Sequence, residues 1–335
     1  MTGVDRLQST GILRLGTPAR GFRYVRPDRK RLTSENLARI KQLRLPPAWS
    51  NVAINVSPNG RLQAVGKDTA GRWQYVYHES HVRTQDRKKF ERLALFIQDL
   101  PRMRSVVNSH LNRRDLSRER ILACILRVLA KCFLRPGSEV YASENGSYGI
   151  ATLKPSHVTV KGDLIRFDFP GKSGVRQVRE MRDRQVARVL RELLKNRRSE
   201  VFKYEADDHE GFVDIKRHHI NEYIKEVMGD RFSAKDFRTW AGTLVCACAL
   251  ARIGTEVVEK PTLRKRKIAI AVKETSVALG NTPAVCRSSY ICPAVIQSFE
   301  KGRTIDQYFS TLDEFLAHRR NHLHPAEKAL LRLLR

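Results

Sequence analysis

Apolar residues in the first third of the chain recur mainly at every second position. This alternation predicts β-strands with one buried face over residues 52–56 and 62–65. Asn59-Gly60 lies between them and is a dipeptide well suited to a tight hairpin turn, so the two strands are predicted to pair. Residues 1–20 show no strong periodicity and are predicted to form a loose arm.

A third alternating segment, residues 72–77, places Trp73, Tyr75 and Tyr77 on one face of a predicted strand. Three aromatic residues on one face are typical of a core. In a protein that binds nucleic acid, the same face also suits contacts with bases or sugars. Both interpretations remain open from this segment alone.

Beyond about residue 90 the apolar spacing changes to the pattern of amphipathic helices. The predicted helices cover residues 90–100, 103–112, 117–132, 185–194, 219–228, 234–251 and 325–334. A small β-hairpin sheet is predicted within about residues 150–175, from short apolar runs at 151–153, 158–160 and 164–169.

The charged segment 83–89 separates the two patterns. We therefore predict an α+β fold of two domains. The first, residues 1–86, is small and mainly β, and the second, residues 87–335, is larger and mainly helical. A chain of 335 residues is long enough for each domain to bury its own core.

The balance of charge restricts the class of partner. The chain has 63 Lys and Arg residues against 35 Asp and Glu residues, a net charge of +28. Such an excess predicts a polyanionic partner. Because the basic residues are spread through sequence with a folding pattern, they favour a surface for DNA or RNA over a membrane tether. The hydrophobic fraction of 41% is that of a globular protein, which excludes a disordered one.

The cysteines indicate a reducing compartment. They lie mostly in apolar segments and lack the paired spacing of a zinc site, which predicts buried free thiols. The six residues are Cys124, Cys132, Cys246, Cys248, Cys286 and Cys292. The N-terminus lacks an apolar signal core, and the longest apolar run, residues 244–251, is too short to cross a bilayer. These features predict a soluble, cytoplasmic protein.

Residues 279–293 have the order of a helix end followed by a short second helix. Gly280 suits the left-handed conformation that ends a helix, Thr282 suits an N-cap, and Pro283 suits the first helical position. Pro293 ends the short helix, and Tyr290 lies in its last turn. The local pattern alone is more typical of a half-buried structural tyrosine than of a nucleophile.

Three basic residues lie in contexts that suit phosphate binding. Lys172 is presented by the glycine-flanked turn 171–174, which lacks the full spacing of an ATP-binding P-loop. Arg238 lies in the first turns of a helix, where helix-terminal N–H groups also bind anions. Arg135 follows another helix. Each is also typical of a solvated surface residue. The acidic segment 205–210 contains metal-ligand residue types, but its crowding predicts a solvated loop.

The order Arg135, Lys172, Arg238, Asn281 and Tyr290 resembles the catalytic constellation of the type IB DNA topoisomerases. The compact poxvirus and bacterial branch is the most similar, and the bacterial members share Asn281. The resemblance covers most of the chain. It rests on residues 66–68, 71–72, 74–77, 134–137, 148–154, 169–172, 235–239 and 279–290.

This resemblance implies a monomer, associated with the nucleoid, that closes as a clamp around double-stranded DNA. It implies relaxation of supercoils without ATP and without a required cofactor or metal. Tyr290 is then the nucleophile of a 3′-phosphotyrosyl intermediate, and Lys172 protonates the leaving 5′-oxygen. The implied phosphate donors are Arg135, Arg238 and Asn281. The implied further DNA contacts are Lys67, Gln74, Tyr75, Tyr77, Lys235 and Arg287.

One position departs from the poxvirus enzymes, which have histidine where this chain has Asn281. An amide still donates a hydrogen bond to a phosphate oxygen but carries no charge, so a weaker clamp on the phosphate is expected. Tyrosine recombinases share the catalytic order, and they typically have a histidine where this chain has Asp236. A recombinase or integrase, and a non-enzymatic basic DNA-binding protein, therefore remain alternatives.

Overall fold

The structure is a computed structural model that describes residues 1–28, 30–195, 200–206, 211–255 and 260–335. These residues form two compact units, Met1–Lys89 and Phe90–Arg335. The first is mostly sheet and the second mostly helix, which agrees with the predicted α+β class. No helix in the described ranges is both long enough and apolar enough to cross a membrane. Most of the predicted acidic loop, residues 207–210, lies outside them.

The first unit is built on one antiparallel sheet with the strand order β2-β1-β3-β4-β5. Its elements are α1 (Gly3–Thr10), β1 (Ile12–Thr17), β2 (Gly21–Val25), α2 (Ser34–Gln42), β3 (Ser50–Ile54), β4 (Leu62–Lys67) and β5 (Trp73–Tyr77). The predicted hairpin is confirmed, because β3 and β4 pair with Ala53 opposite Val65. Alternate residues of these strands bury two faces: Ile54 packs with Ile40 of α2, and Ala53 packs with Leu7 of α1.

The predicted loose arm is wrong, because residues 1–20 form α1 and β1. The Thr2 side chain accepts a hydrogen bond from the Asp5 N–H at 3.2 Å, and the Asp5 carboxylate accepts one from the Thr2 N–H at 2.9 Å. This capping box starts the helix. Val4 and Leu7 are then buried against the sheet. A helix of eight residues has too short a repeat to be recognised from its own sequence.

Of the two interpretations left open for Trp73, Tyr75 and Tyr77, a core does not hold for the two tyrosines, whose side chains are 47% and 42% exposed. Their rings stack with centroids 6.2 Å apart. The cause is position in the sheet: β5 is an edge strand, and α1 covers β3 and β4. Trp73 alone of the three packs with the residues beneath α1.

The second unit is mainly helical. Helix α3 spans Glu79–Leu111. The later helices are α4 (Arg118–Cys132), α5 (Glu139–Asn145), α6 (Arg184–Leu193), α7 (Arg217–Met228), α8 (Ala234–Ile253), α9 (Pro261–Leu279), α10 (Pro283–Ser289), α11 (Pro293–Glu300), α12 (Leu312–Ala317) and α13 (Pro325–Leu334). Strands β6 (Val158–Lys161), β7 (Leu164–Pro170) and β8 (Arg176–Arg182) form an antiparallel sheet in that order, and β9 (Lys203–Glu205) pairs with β10 (Phe212–Asp214).

Helix α8 lies at the centre of this unit. Every residue from Asp236 to Leu250 is buried, as expected for a helix that is apolar on nearly all sides. Helices α4, α7, α9, α11 and α13 pack against it. Any polar side chain on α8 is therefore held in fixed surroundings, which matters for Arg238.

Two predicted features of this unit are wrong, and one strand was missed. Residues 90–100 and 103–112 belong to one helix, α3, which continues through Pro101 because its apolar side is buried in the core. Residues 150–152 form a 3₁₀ turn in place of the predicted strand, since the Thr152 hydroxyl accepts the Gly149 N–H at 3.0 Å. Strand β8 was not predicted, because four of its seven residues are charged and they do not alternate with apolar ones.

Candidate functional site

The turn between α9 and α10 matches its sequence prediction. Gly280 ends α9 in the left-handed conformation, with φ of 59°. A residue with a Cβ adopts this conformation only at a cost in energy. The Asn281 N–H donates to the Ser276 carbonyl at 3.0 Å. Thr282 caps α10 by accepting the Val285 N–H at 3.3 Å, and Pro283 begins the helix. This turn fixes Asn281 at the start of α10 and Tyr290 at its end.

The backbone of Tyr290 is attached to the central helix. The Thr243 hydroxyl donates to the Tyr290 carbonyl at 3.0 Å and accepts the Cys292 N–H at 3.0 Å. Gly242 makes this approach possible, since a Cβ on it would lie 2.9 Å from the Tyr290 Cβ. The backbone just after Tyr290 is therefore held against α8 by both bonds of the Thr243 hydroxyl.

Arg238 lies beneath the ring of Tyr290. Its side chain is only 3% exposed, and its guanidinium carbon is 4.9 Å from the ring centroid. One guanidinium nitrogen donates to the Leu279 carbonyl at 2.9 Å and another donates to the Phe133 carbonyl. The Nε atom is buried and has no acceptor among the residues described. Arg238 is thus held by backbone carbonyls and retains one N–H for another ligand.

Arg135 follows α4 and meets the turn after α9. Its guanidinium donates to the Asn281 side-chain oxygen. That bond orients the amide, so the Asn281 Nδ2 atom faces away from Arg135. Nδ2 is buried and meets no oxygen acceptor within the described part of the chain; it interacts with the Cys286 thiol, which opposes the rise in the pKa of that thiol caused by burial. Arg135 and Asn281 together therefore present unused N–H donors near Tyr290.

The charges of the site act on the phenol. Burial raises the pKa of Tyr290, but the nearby charges of Arg238, Arg135 and Lys235 outweigh burial and leave that pKa below its ordinary value. Burial, reinforced by Arg238, lowers the pKa of Arg135 to about 10. Such a cluster binds an oxyanion beside a potential nucleophile and stabilises that nucleophile in its ionised form.

Lys172 lies apart from these contacts. It is exposed at the tip of the β7–β8 hairpin, with no hydrogen bond or ion pair to any described residue. The base of the hairpin nevertheless lies beside the site. Gln177 of β8 is buried against Gly171, and its side-chain oxygen lies next to Gly280.

Two residues near the site were missed because β8 was not predicted. Gln177 connects the hairpin that carries Lys172 to the turn that carries Asn281. Arg179 donates to the Val277 carbonyl at 3.3 Å, and burial lowers its pKa. The local sequence 176–182 is mostly charged and polar, which is typical of a solvated segment, so it gave no signal for either residue.

The predicted DNA contacts are mainly on the surface. Lys235 and Arg287 are exposed on the first turn of α8 and on α10. In the first unit, the Lys67 ammonium lies 5.2 Å from the Trp73 ring, and Gln74 donates to Asp68 at 2.9 Å. Tyr75 and Tyr77 present the exposed stacked pair.

The chain contains free thiols and no evident metal cluster in its described part. All six cysteines are buried, as predicted, and Cys124, Cys132, Cys246, Cys248 and Cys286 are free thiols. Burial raises the pKa of the Cys132 thiol to about 12. Among the residues described, no group of three or more His, Cys, Asp or Glu side chains is arranged to hold a metal ion.

Comparisons with known proteins agree on one family. Residues 79–314 match the model of the eukaryotic DNA topoisomerase I catalytic core, and residues 21–68 match that of the bacterial DNA topoisomerase IB N-terminal domain. DNA topoisomerase 1B of Acanthamoeba polyphaga mimivirus is 32% identical over 87% of this chain and 88% of its own. DNA topoisomerase 1B of vaccinia virus (strain Copenhagen) is 26% identical over 77% of this chain and 79% of its own.

Proposed function

The chain belongs to the type IB DNA topoisomerases, and from that membership we propose which of its residues carry the reaction. The enzyme relaxes supercoils without ATP. It cleaves one strand through a transient 3′-phosphotyrosyl intermediate, allows strand rotation and then religates the break. The environment of Tyr290 is the observation that carries the assignment of residues.

Tyr290 is the nucleophile. Its Oη attacks the phosphorus, the bond from phosphorus to the 5′-oxygen breaks, and the phenolic proton passes to solvent. The products are a 3′-phosphotyrosyl bond and a free 5′-hydroxyl, which later attacks the same phosphorus and restores the DNA. The lowered pKa of Tyr290 favours the attacking phenolate over an ordinary phenol. The covalent bond conserves the energy of the one that was broken, so no ATP is needed.

Arg135, Arg238 and Asn281 stabilise the phosphate oxygens in the transition state. Support for these roles comes from the donors that the folded protein leaves unused, the Arg238 Nε and the Asn281 Nδ2. They are held in place before substrate arrives, by the Leu279 carbonyl and by the hydrogen bond between Arg135 and Asn281. Preorganised donors of this kind lower the barrier because they need no reorganisation during the reaction.

Lys172 is the general acid that protonates the leaving 5′-oxygen. Its exposed position at a hairpin tip suits a residue that reaches a bound phosphodiester only when DNA is present. The packing of Gln177 between Gly171 and Gly280 supports the role, because it links the base of this hairpin to the turn before Asn281.

The substrate is double-stranded DNA, and the two units act as a clamp on it. The net charge of +28 supports this proposal, and so do the exposed residues Tyr75, Tyr77, Lys235 and Arg287. The slope of log affinity against log salt should then be roughly −0.9 for each phosphate neutralised. An affinity that hardly changes between low and moderate salt would contradict the clamp. The enzyme acts as a monomer in the cytoplasm, on nucleoid DNA, and requires no metal or cofactor.

A covalent-trapping experiment tests the role of Tyr290. The substrate is a DNA duplex with a label on the cleaved strand, on the 5′ side of the break. Only a few nucleotides lie on the 3′ side of the break, so after cleavage this short 5′-hydroxyl fragment dissociates and religation cannot occur. Wild-type protein should become covalently labelled through the 3′-phosphate. Tyr290→Phe should give no adduct. Tyr308→Phe, which alters a tyrosine that is 45% exposed, serves as the matched control and should react like wild type. Labelling of Tyr290→Phe would refute the assignment.

A further inference from the structure

A small cavity lies between α3, α4, α8 and the segment 315–321. Its volume is about 50 Å³. We call it the Trp240 cavity, since the central helix contributes this one side chain to its lining. Trp240 follows Arg238 by two residues, and side chains at that spacing on a helix point away from each other. The Trp240 cavity is therefore separate from the site around Tyr290.

Trp240 has an unused hydrogen-bond donor. The side chain is 1% exposed and contacts the rings of Phe133 and Phe315. Its indole N–H is buried without an acceptor among the described residues. A buried donor without a partner is costly, and few persist in proteins unless a water, ion or ligand satisfies them. A ligand in the cavity with an acceptor oxygen would do so.

The lining of the cavity is strongly basic. Five cationic side chains contribute to it: Arg104, Arg127, Lys131, Arg319 and Arg320. Two carboxylates face them. Glu327 pairs with Arg104 at 2.7 Å, and Asp183 lies 2.9 Å from Arg127 and 3.8 Å from Lys131.

Three positive charges remain: one from Arg127 and Lys131, which share the single carboxylate of Asp183, and two from Arg319 and Arg320. Both are exposed, and neither forms an ion pair with another described residue. Deeper in the cavity, burial together with the charges of Arg127 and Arg319 lowers the pKa of Lys131, against the opposing charge of Asp183. Another negative charge would therefore be favourable there.

We propose that the Trp240 cavity binds a small tetrahedral oxyanion of the phosphate class. The donors are the Trp240 indole N–H, the Lys131 ammonium and the guanidinium groups, with Arg319 and Arg320 at the solvent side. Phosphate is an anion with four oxygens that mainly accept hydrogen bonds, so it matches cationic donors that converge from several directions. A volume of about 50 Å³ exceeds that needed for one water molecule and suits a group of four oxygens. The site is additional to the one that holds the DNA phosphate.

The test uses tryptophan emission. The chain has three tryptophans, so Trp49→Phe/Trp73→Phe leaves Trp240 as the only emitter. Potassium phosphate is titrated into this full-length variant at constant ionic strength made up with potassium chloride. We expect a saturable change in emission. Adding Arg319→Gln/Arg320→Gln should raise the phosphate concentration at half-saturation at least about tenfold. Arg188→Gln removes an exposed arginine that does not line the cavity and should leave the titration unchanged.

Binding at the Tyr290 site is excluded by a further variant. Arg135→Gln, in the same single-tryptophan background, should retain the emission change. A change that is lost in Arg135→Gln but kept in Arg319→Gln/Arg320→Gln would place phosphate at the Tyr290 site and overturn the proposal. So would the absence of any saturable change, or an equal loss in Arg188→Gln. Thermal unfolding of the natural chain gives an independent readout, because a ligand of the native state raises the melting temperature with its concentration.

Discussion

Asn281→Asp separates the chemical role of this residue from its structural role. The two side chains have nearly the same shape. The aspartate still accepts the hydrogen bond from Arg135, and its own negative charge turns that bond into an ion pair, which is stronger. It loses the Nδ2 donor, which within the described residues meets no oxygen acceptor and interacts only weakly with the Cys286 thiol. The substitution therefore keeps the contact that holds the turn and removes the contact proposed for the phosphate.

The size of the effect follows from the lost donor. Removing one preorganised donor from an oxyanion site typically slows the reaction by about 10²–10³-fold. Asn281→Ala should therefore cleave DNA slower by about this factor. Asn281→Asp should be slower still, because its carboxylate is placed beside the developing negative charge. Stability should follow a different order from the cleavage rates, with Asp equal to or above wild type and Ala below it.

The assay is single-turnover cleavage of a labelled duplex, with thermal unfolding measured on the same preparations. The expected order of cleavage rates is wild type, then Ala, then Asp. If Asn281→Asp cleaved within about threefold of wild type, or faster than Asn281→Ala, Nδ2 would not act on the phosphate in the transition state. A large fall in melting temperature for Asp would contradict the proposed bond to Arg135.

Three further predictions concern other parts of the second unit. Thr243→Val is nearly isosteric but leaves the Tyr290 carbonyl and the Cys292 N–H without the hydroxyl that bonds to both. It should lower the free energy of unfolding, measured by urea denaturation, by about 1–3 kcal/mol. An unchanged free energy of unfolding would contradict these two bonds. Glu327→Gln removes the charge of a fully buried side chain that pairs with Arg104, itself 16% exposed. It should cost about 3 kcal/mol by the same method, the lower end for breaking a buried pair, and a cost near zero would show that the pair contributes little. Because the pKa of Tyr290 is lowered, the single-turnover cleavage rate should rise with pH and reach a plateau at a pH below the ordinary tyrosine pKa of about 10. A rate that still rises through about pH 10 would argue against the lowered pKa.

Local features with a strong stereochemical cause were predictable from sequence. The turn before α10 is marked by Gly280, Thr282 and Pro283, because glycine, threonine and proline are each strongly preferred at the helix-end positions that they occupy here. Asn59-Gly60 marks the β3–β4 hairpin for the same reason. The C-terminal helix was predicted with the bounds that the structure has, Pro325–Leu334, since a proline begins it and its apolar face repeats clearly.

Features that depend on distant partners were not predictable. Strand β8 exists because β7 offers a ladder of backbone groups, although its own residues are largely charged. Tyr75 and Tyr77 are exposed because β5 happens to be the edge of its sheet. The hydrogen bond from Arg135 to Asn281 joins residues far apart in sequence, and only the folded chain reveals which atoms of the amide remain free. The site roles that the resemblance implied stay predictions.

Relaxation of a supercoiled plasmid in EDTA, without ATP, tests the central claim most directly. Wild type should relax the plasmid, and Tyr308→Phe should do so at a similar rate. Tyr290→Phe should leave the plasmid supercoiled while still binding DNA. Relaxation by Tyr290→Phe would show that another group is the nucleophile. Failure of wild type in EDTA, with recovery on adding a divalent metal, would contradict the metal-independent tyrosine mechanism.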